Sequence, residues 1–157
     1  MGTITPFLWF DDNLEEALEF YRSVFPASTV TDVRRYPEGA PGTSGKFMGA
    51  TWELEGQRFM GINAGPMFSF TEAISFYVRA DTQEEIDRLW TELLADGGEP
   101  SQCGWLKDRF GLSWQIVPSR LNELLTDPDP EVAGRTMQAM LQMGKLDIAA
   151  LESAARG

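Results

Sequence analysis

The chain has 157 residues, 43% hydrophobic and 24% charged, which suits one globular domain or two small modules sharing a core and excludes disordered or fibrous classes. A formal charge of -11 repels phosphate backbones and anionic lipid, so neither nucleic acid nor a membrane surface is expected as a partner. One cysteine, Cys103, and no histidine remove disulfide frameworks, Ser-His or Cys-His nucleophiles and every His-based metal site. No basic leader precedes an apolar stretch at the N-terminus, and no apolar run is long enough to span a bilayer, so a cytoplasmic location is expected.

Residues 3–10, TITPFLWF, read as a strand followed by the turn and helix-cap candidates Asp11, Asp12 and Asn13. In LEEALEFYRSVF, Leu14, Ala17, Leu18, Tyr21 and Phe25 recur at helical spacing, and Pro26 ends the helix. STVTDVRRY, KFMGATWELE and QRFMGIN then read as strands, with Pro37 to Gly45 as a loop and Glu55-Gly56 as a hairpin turn. The order returns after Ala64 to Thr71. AISFYVRA is a strand, Asp81-Thr82 caps a helix striped by Ile86, Leu89, Trp90, Leu93 and Leu94, Gly97-Gly98 stops it, and PSQCGWLK and GLSWQIVP are extended. ITPFLWFDDNLEEA overlays AISFYVRADTQEEI and EGQRFMGI overlays FGLSWQIV, so one supersecondary unit occurs twice. The expectation is an α+β fold of two tandem βαβββ modules, residues 1–63 and 72–118, joined by a linker at 64–71. A single ferredoxin-like sandwich is the plainer alternative. Residues 119–157 form a helical C-terminal extension, with Asp127-Pro128-Asp129-Pro130 opening one helix and Gly144 ending it. Val132, Met137, Met140, Leu141, Ile148 and Leu151 give that extension apolar faces to cover the sheet or another subunit.

FYRSVFP after the first strand, CGWLKDRFGLSWQIVP near the end of the core and MGKLDIAALE in the tail resemble the PhnB-like branch of the glyoxalase, bleomycin-resistance and extradiol dioxygenase (vicinal oxygen chelate) superfamily. That branch is often labelled a 3-demethylubiquinone methyltransferase domain. The resemblance implies paired modules that curve their sheets into a cup, which in the relatives holds a divalent metal. It also implies that the usual ligand positions fall on Thr5, Met60, Ala73 and Gln115. None is a carboxylate or imidazole, so no metal and no other cofactor is expected.

Strand alternation places Leu8 and Phe10 toward the first helix and Thr5, Phe7 and Trp9 toward the cup. In the second module Ile74, Phe76 and Val78 should face the helix and Ala73, Ser75 and Tyr77 the cup. Trp114 and Ile116 should pack on helices, leaving Ser113, Gln115 and Val117 inside. The candidate ligand-binding set is therefore Thr5, Phe7, Trp9, Met60, Ser75, Tyr77, Cys103, Trp105 and Gln115, aromatic faces with sparse polar contacts. Against it stands ordinary packing: Trp9 and Trp105 can equally be core, as Trp52, Trp90 and Trp114 should be, and Cys103 can be inert filler. Asp108 with Lys107 offers an acid and base, but an Asp before a Gly-containing turn more often caps its own backbone. Glu53 is the one cup-side carboxylate in its strand.

Three functional readings follow. The first is a cup that binds a small, partly aromatic or apolar organic molecule without metal. The second is a lyase, isomerase or dioxygenase-like enzyme using a metal recruited through Glu53, Gln115 and solvent, and the third a non-catalytic dimer. Exposed sheet edges and an amphipathic tail predict a homodimer.

Overall fold

The computed structural model describes residues 3–157 and divides into two compact units between Phe70 and Thr71. In the first unit the chain runs through β1 (Phe7–Phe10), α1 (Leu14–Val24), β2 (Ser28–Val30), β3 (Arg34–Arg35), β4 (Phe47–Leu54) and β5 (Gln57–Asn63). The sheet order is β1-β5-β4-β2, with β3 also pairing β4, and β1 runs parallel to β5 while the other pairs are antiparallel. In the second unit β6 (Ser75–Arg79), α2 (Gln83–Leu93), β7 (Glu99–Pro100), β8 (Trp105–Lys107) and β9 (Ser113–Val117) repeat this order as β6-β9-β8-β7, again with one parallel pair, β6 with β9. The duplication read from the sequence is thus a duplication of topology.

Each sheet buries one face against its helix. In the first unit Leu8 and Phe10 of β1, Ala50, Trp52 and Leu54 of β4 and Phe59 of β5 are buried with Leu14, Ala17, Leu18, Tyr21 and Val24 of α1. Gly61 carries no side chain because Trp52 fills its place: a Cβ there would lie 2.9 Å from the Trp52 ring. Asn13 makes no side-chain cap for α1. Asn63, at the far end of β5, supplies it instead, its Oδ1 accepting from the Leu14 N–H at 2.9 Å, so the helix start is tied to the sheet. The second unit uses Ile86, Leu89 and Leu93 of α2 against Leu106, Trp114 and Ile116, with Thr82 capping the helix through the Glu85 N–H.

Two expected strands are broken. STVTDVRRY becomes β2 and β3 because Asp32 adopts φ 31°, which interrupts pairing. PSQCGWLK becomes β7 and β8, separated by a turn in which Cys103 and Gly104 have φ of 60° and 85°. Ile74, expected on the helix side, precedes β6 and is 72% exposed.

The tail forms α3 (Ser119–Leu125), α4 (Pro130–Met140) and α5 (Ile148–Arg156), with Asp129 and Asp147 capping the last two through the Glu131 and Ala150 N–H groups. These helices close on the second unit. Leu121, Leu124, Leu146, Leu151 and Ala155 form one buried cluster with Val117 of β9, joined by Val132, Met140 and Met143. The Cys103 and Gly104 N–H groups donate to the Met143 and Gly144 carbonyls at 2.7 and 2.8 Å, and the Gln83 side chain bridges the Leu146 carbonyl and the Ile148 N–H. Val117 therefore packs with the tail helices rather than on the open face where alternation alone had put it. Met137 and Leu141 stay exposed.

Candidate functional site

Each unit leaves the second face of its sheet uncovered by its helix, and register decides which side chains share it. In the second unit Tyr77, Gln115 and Trp105 stand in one row across β6, β9 and β8, and Ser75, Ser113, Lys107 and Glu99 stand in the next, extended to β7. Gln115 donates from Nε2 to the Ser75 hydroxyl at 2.8 Å, which ties its amide to the neighbouring strand. Tyr77 is exposed, and its hydroxyl accepts from Asn122 Nδ2 at 2.9 Å, so α3 fixes the ring. Trp105 is half-buried beside them.

A pocket of about 130 Å³ opens in this face, lined by Glu72, Glu99, Trp105, Lys107 and Ser113 among others. Lys107 Nζ pairs with the Glu72 carboxylate. Their hydrogen bond holds Glu72 below the usual carboxylate range and raises Lys107, with Glu99 adding a smaller push on the lysine. Ser113 is 2% exposed, and its hydroxyl has no hydrogen-bond partner among the described residues. A buried hydroxyl without a partner is a costly feature that a bound group would satisfy.

In the first unit the uncovered face carries Phe7 beside Met60 and Thr51, then Trp9 beside Ile62 and Gly49. Trp9 is partly committed to structure. Its indole N–H donates to the Gly65 carbonyl at 2.8 Å and its ring meets Phe68 edge-on at 4.9 Å, so it anchors the segment that follows β5. Thr5, just before β1, is half-buried. The Arg34 guanidinium lies beside Gly49, Nη2 standing 3.2 Å from where a Cβ would be, while Nη1 pairs with Asp32 at 2.6 Å. Glu53 pairs across the ladder with Arg58 at 4.0 Å and is half-exposed, a rim position.

The expected set is thus divided. Ser75, Tyr77, Trp105 and Gln115 converge on one face of the second unit, and Phe7, Trp9 and Met60 on one face of the first. Cys103 lies in the turn before β8 rather than in the strand, pinned through its backbone to the tail. Asp108 is engaged within its own turn. Its Oδ1 accepts from the Phe110 and Leu112 N–H groups and its Oδ2 from the Trp114 indole at 2.9 Å, all with the carboxylate buried, so it builds the turn between β8 and β9. Glu72 was missed because alternation assigns a face but not the partner that arrives from a loop, and Glu99 because it precedes the extended run read at PSQCGWLK.

Metal chemistry does not fit these residues. A hydroxyl at Thr5, a thioether at Met60, a methyl at Ala73 and the amide of Gln115, already bonded to Ser75, offer no anionic donor, and among the described residues no three Cys, Asp or Glu side chains gather as a ligand group. Among the described residues there is no nucleotide cradle either. The loop Pro37 to Gly45 connects β3 to β4 rather than a strand to a helix, and each sheet contains one parallel pair instead of a parallel core. No helix among the described residues is long and apolar enough to cross a membrane.

Comparison with known proteins places this geometry. A family profile described as 3-demethylubiquinone-9 3-methyltransferase matches residues 2–117, ending where β9 ends and leaving α3–α5 outside. The PhnB protein of Bacillus cereus, whose description carries the same methyltransferase name, is 39% identical over 74% of this chain and 99% of its own, with a TM-score of 0.67. Protein PA1353 from Pseudomonas aeruginosa is 24% identical over 75% of this chain and 98% of its own, at a TM-score of 0.63. The fosfomycin resistance protein FosX from Listeria monocytogenes shares the fold, at 13% identity over 75% of this chain and 93% of its own and a TM-score of 0.53. A search of curated proteins finds no match.

Proposed function

The chain belongs to the PhnB-like family that carries the 3-demethylubiquinone-9 3-methyltransferase description, and from that premise we propose that it binds a small, partly aromatic or apolar organic molecule on its open sheet faces without a divalent metal. The observation that carries this reading is the second unit's open face, where Tyr77, Trp105 and the Ser75-bonded Gln115 share a row beside a pocket that Trp105 lines and whose buried Ser113 hydroxyl lacks a partner. Aromatic faces supply contact area, and few polar groups orient the guest. The methyltransferase description gains no support from the fold, for the reasons of loop and sheet given above.

Gln115→Leu keeps the volume and removes the amide. In a thermal-shift screen of small aromatic compounds it is expected to weaken binding by roughly 0.5–1.5 kcal/mol where the amide contacts a neutral group. Ligand shifts unaltered in Gln115→Leu and absent from a Trp105→Ala variant that still folds would assign the face to Trp105 alone. Shifts unaltered in both would remove the binding reading.

The same reading includes a homodimer. Ile4, Met67, Phe68 and Phe7 are 91%, 77%, 59% and 55% exposed, apolar area that a second copy would cover. Light scattering at micromolar concentration should give about twice the 17.5 kDa chain mass, and a monomer mass would refute the dimer.

A further inference from the structure

We propose that the pocket in the second unit is a carboxylate subsite, in which the chain's own Glu72 occupies the place on Lys107 that the carboxylate of a small aromatic acid takes. The proposal rests on the small-molecule reading above and adds the charge of the guest.

Three features of the pocket point this way. Lys107 is the one cation lining it among the described residues, and it is already engaged by a carboxylate. That carboxylate is not part of the sheet. Glu72 comes from 71–74, a run of exposed residues ahead of β6, and its side chain is 62% exposed, so water screens the pair and it opens easily. A guest carboxylate that takes the place of Glu72 on Lys107 forms one ion pair for the one it breaks.

The second feature is the Ser113 hydroxyl. Ser113 faces Lys107 directly across the β8–β9 ladder, lines the same pocket and has no partner. A carboxylate has two oxygens and about four acceptor sites, so one that accepts from the lysine retains an oxygen for a hydroxyl donor. Glu72, tethered to the chain on one side, leaves Ser113 unserved. A free acid is not so constrained.

The third is the apolar wall. Trp105 stands next to Lys107 on the same face of β8, with Pro100 at the edge. The volume of about 130 Å³ is on the order of what one benzene-sized group requires. An acid with a single ring thus finds a cation, a hydroxyl donor and an aromatic surface in one place.

The test is an NMR titration of the isotope-labelled full chain with phenylacetate and, separately, its neutral counterpart phenylacetamide. Phenylacetate is expected to shift the resonances of Trp105, Lys107 and Ser113 and to bind less well at high salt. Lys107→Met should abolish these shifts and Ser113→Ala should weaken them. Glu72→Gln, at an exposed position that leaves the fold unchanged, should tighten binding by roughly two- to fivefold, because the internal competitor is gone. Equal or weaker binding in Glu72→Gln, or shifts that survive Lys107→Met, would overturn the subsite. Phenylacetamide binding the same residues as well as the acid would overturn it too while leaving the small-molecule reading intact. Silence from both compounds would count against both.

Discussion

Asp108→Ala is expected to destabilise the protein by about 3–5 kcal/mol, lowering Tm by roughly 8–15 °C for a chain of this size. The carboxylate is 2% exposed and accepts hydrogen bonds from the Phe110 and Leu112 backbone and from the Trp114 indole. Removing it leaves at least three donors without an acceptor, two of them buried at about 1–3 kcal/mol each, partly relieved by water entering the turn. Asp108→Asn separates the contributions. It keeps one oxygen for the backbone donors but turns an NH₂ toward the indole, so an intermediate loss is expected. Urea melts of the three proteins measure this directly, and a stable, fully folded Asp108→Ala would show that the residue is free for chemistry after all.

The second large effect is expected at Gly104, where even alanine should cost about 2–4 kcal/mol. Its φ of 85° disfavours any side chain, and a Cβ would lie 2.9 Å from the Ile116 carbonyl oxygen and 3.0 Å from Leu146 Cδ1. The backbone oxygen belongs to β9 and cannot move without disturbing the ladder, and Leu146 is fully buried in the tail cluster. Gly39 is the control. Its φ is 88°, yet a Cβ there meets nothing within 4 Å, so Gly39→Ala should cost about 1 kcal/mol, for conformation alone. The difference between the two melts isolates the crowding between the turn, β9 and the tail, and equal losses would mean that the tail does not press on Gly104.

These two positions also show where sequence reasoning stops. The duplicated pattern, the helix stripes, and the burial of Leu8, Phe10, Trp114 and Ile116 follow from periods of 2 and 3.6 in the residues themselves, and Thr82 caps its helix through contacts within three residues. Whatever depends on distant chain was hidden. Asn63 caps α1 from 49 residues away. Val117 alternates toward the open face but is claimed by the tail, and Cys103 leaves its strand because the turn donates its N–H groups to Met143 and Gly144. Positive φ at Asp32 and Cys103 carries no glycine to announce it. On the open face, period 2 identified Ser75, Tyr77, Trp105 and Gln115. It was silent about Glu72, which enters from a loop, and about Arg34 beside Gly49, since both depend on where a long side chain ends rather than where it starts.

The central claim, that the open sheet faces hold a small organic molecule with no help from a metal, is tested most directly by NMR shift mapping of the chelator-treated chain against a library of small aromatic compounds. Ligands are expected to perturb Tyr77, Trp105, Ser113 and Gln115, or Phe7 and Met60 on the first unit's open face, while Phe76, Trp114 and Ile116 on the helix side of the second sheet stay unmoved. Ligands that bind only after a divalent metal is restored, or none that touches either open face, would contradict it.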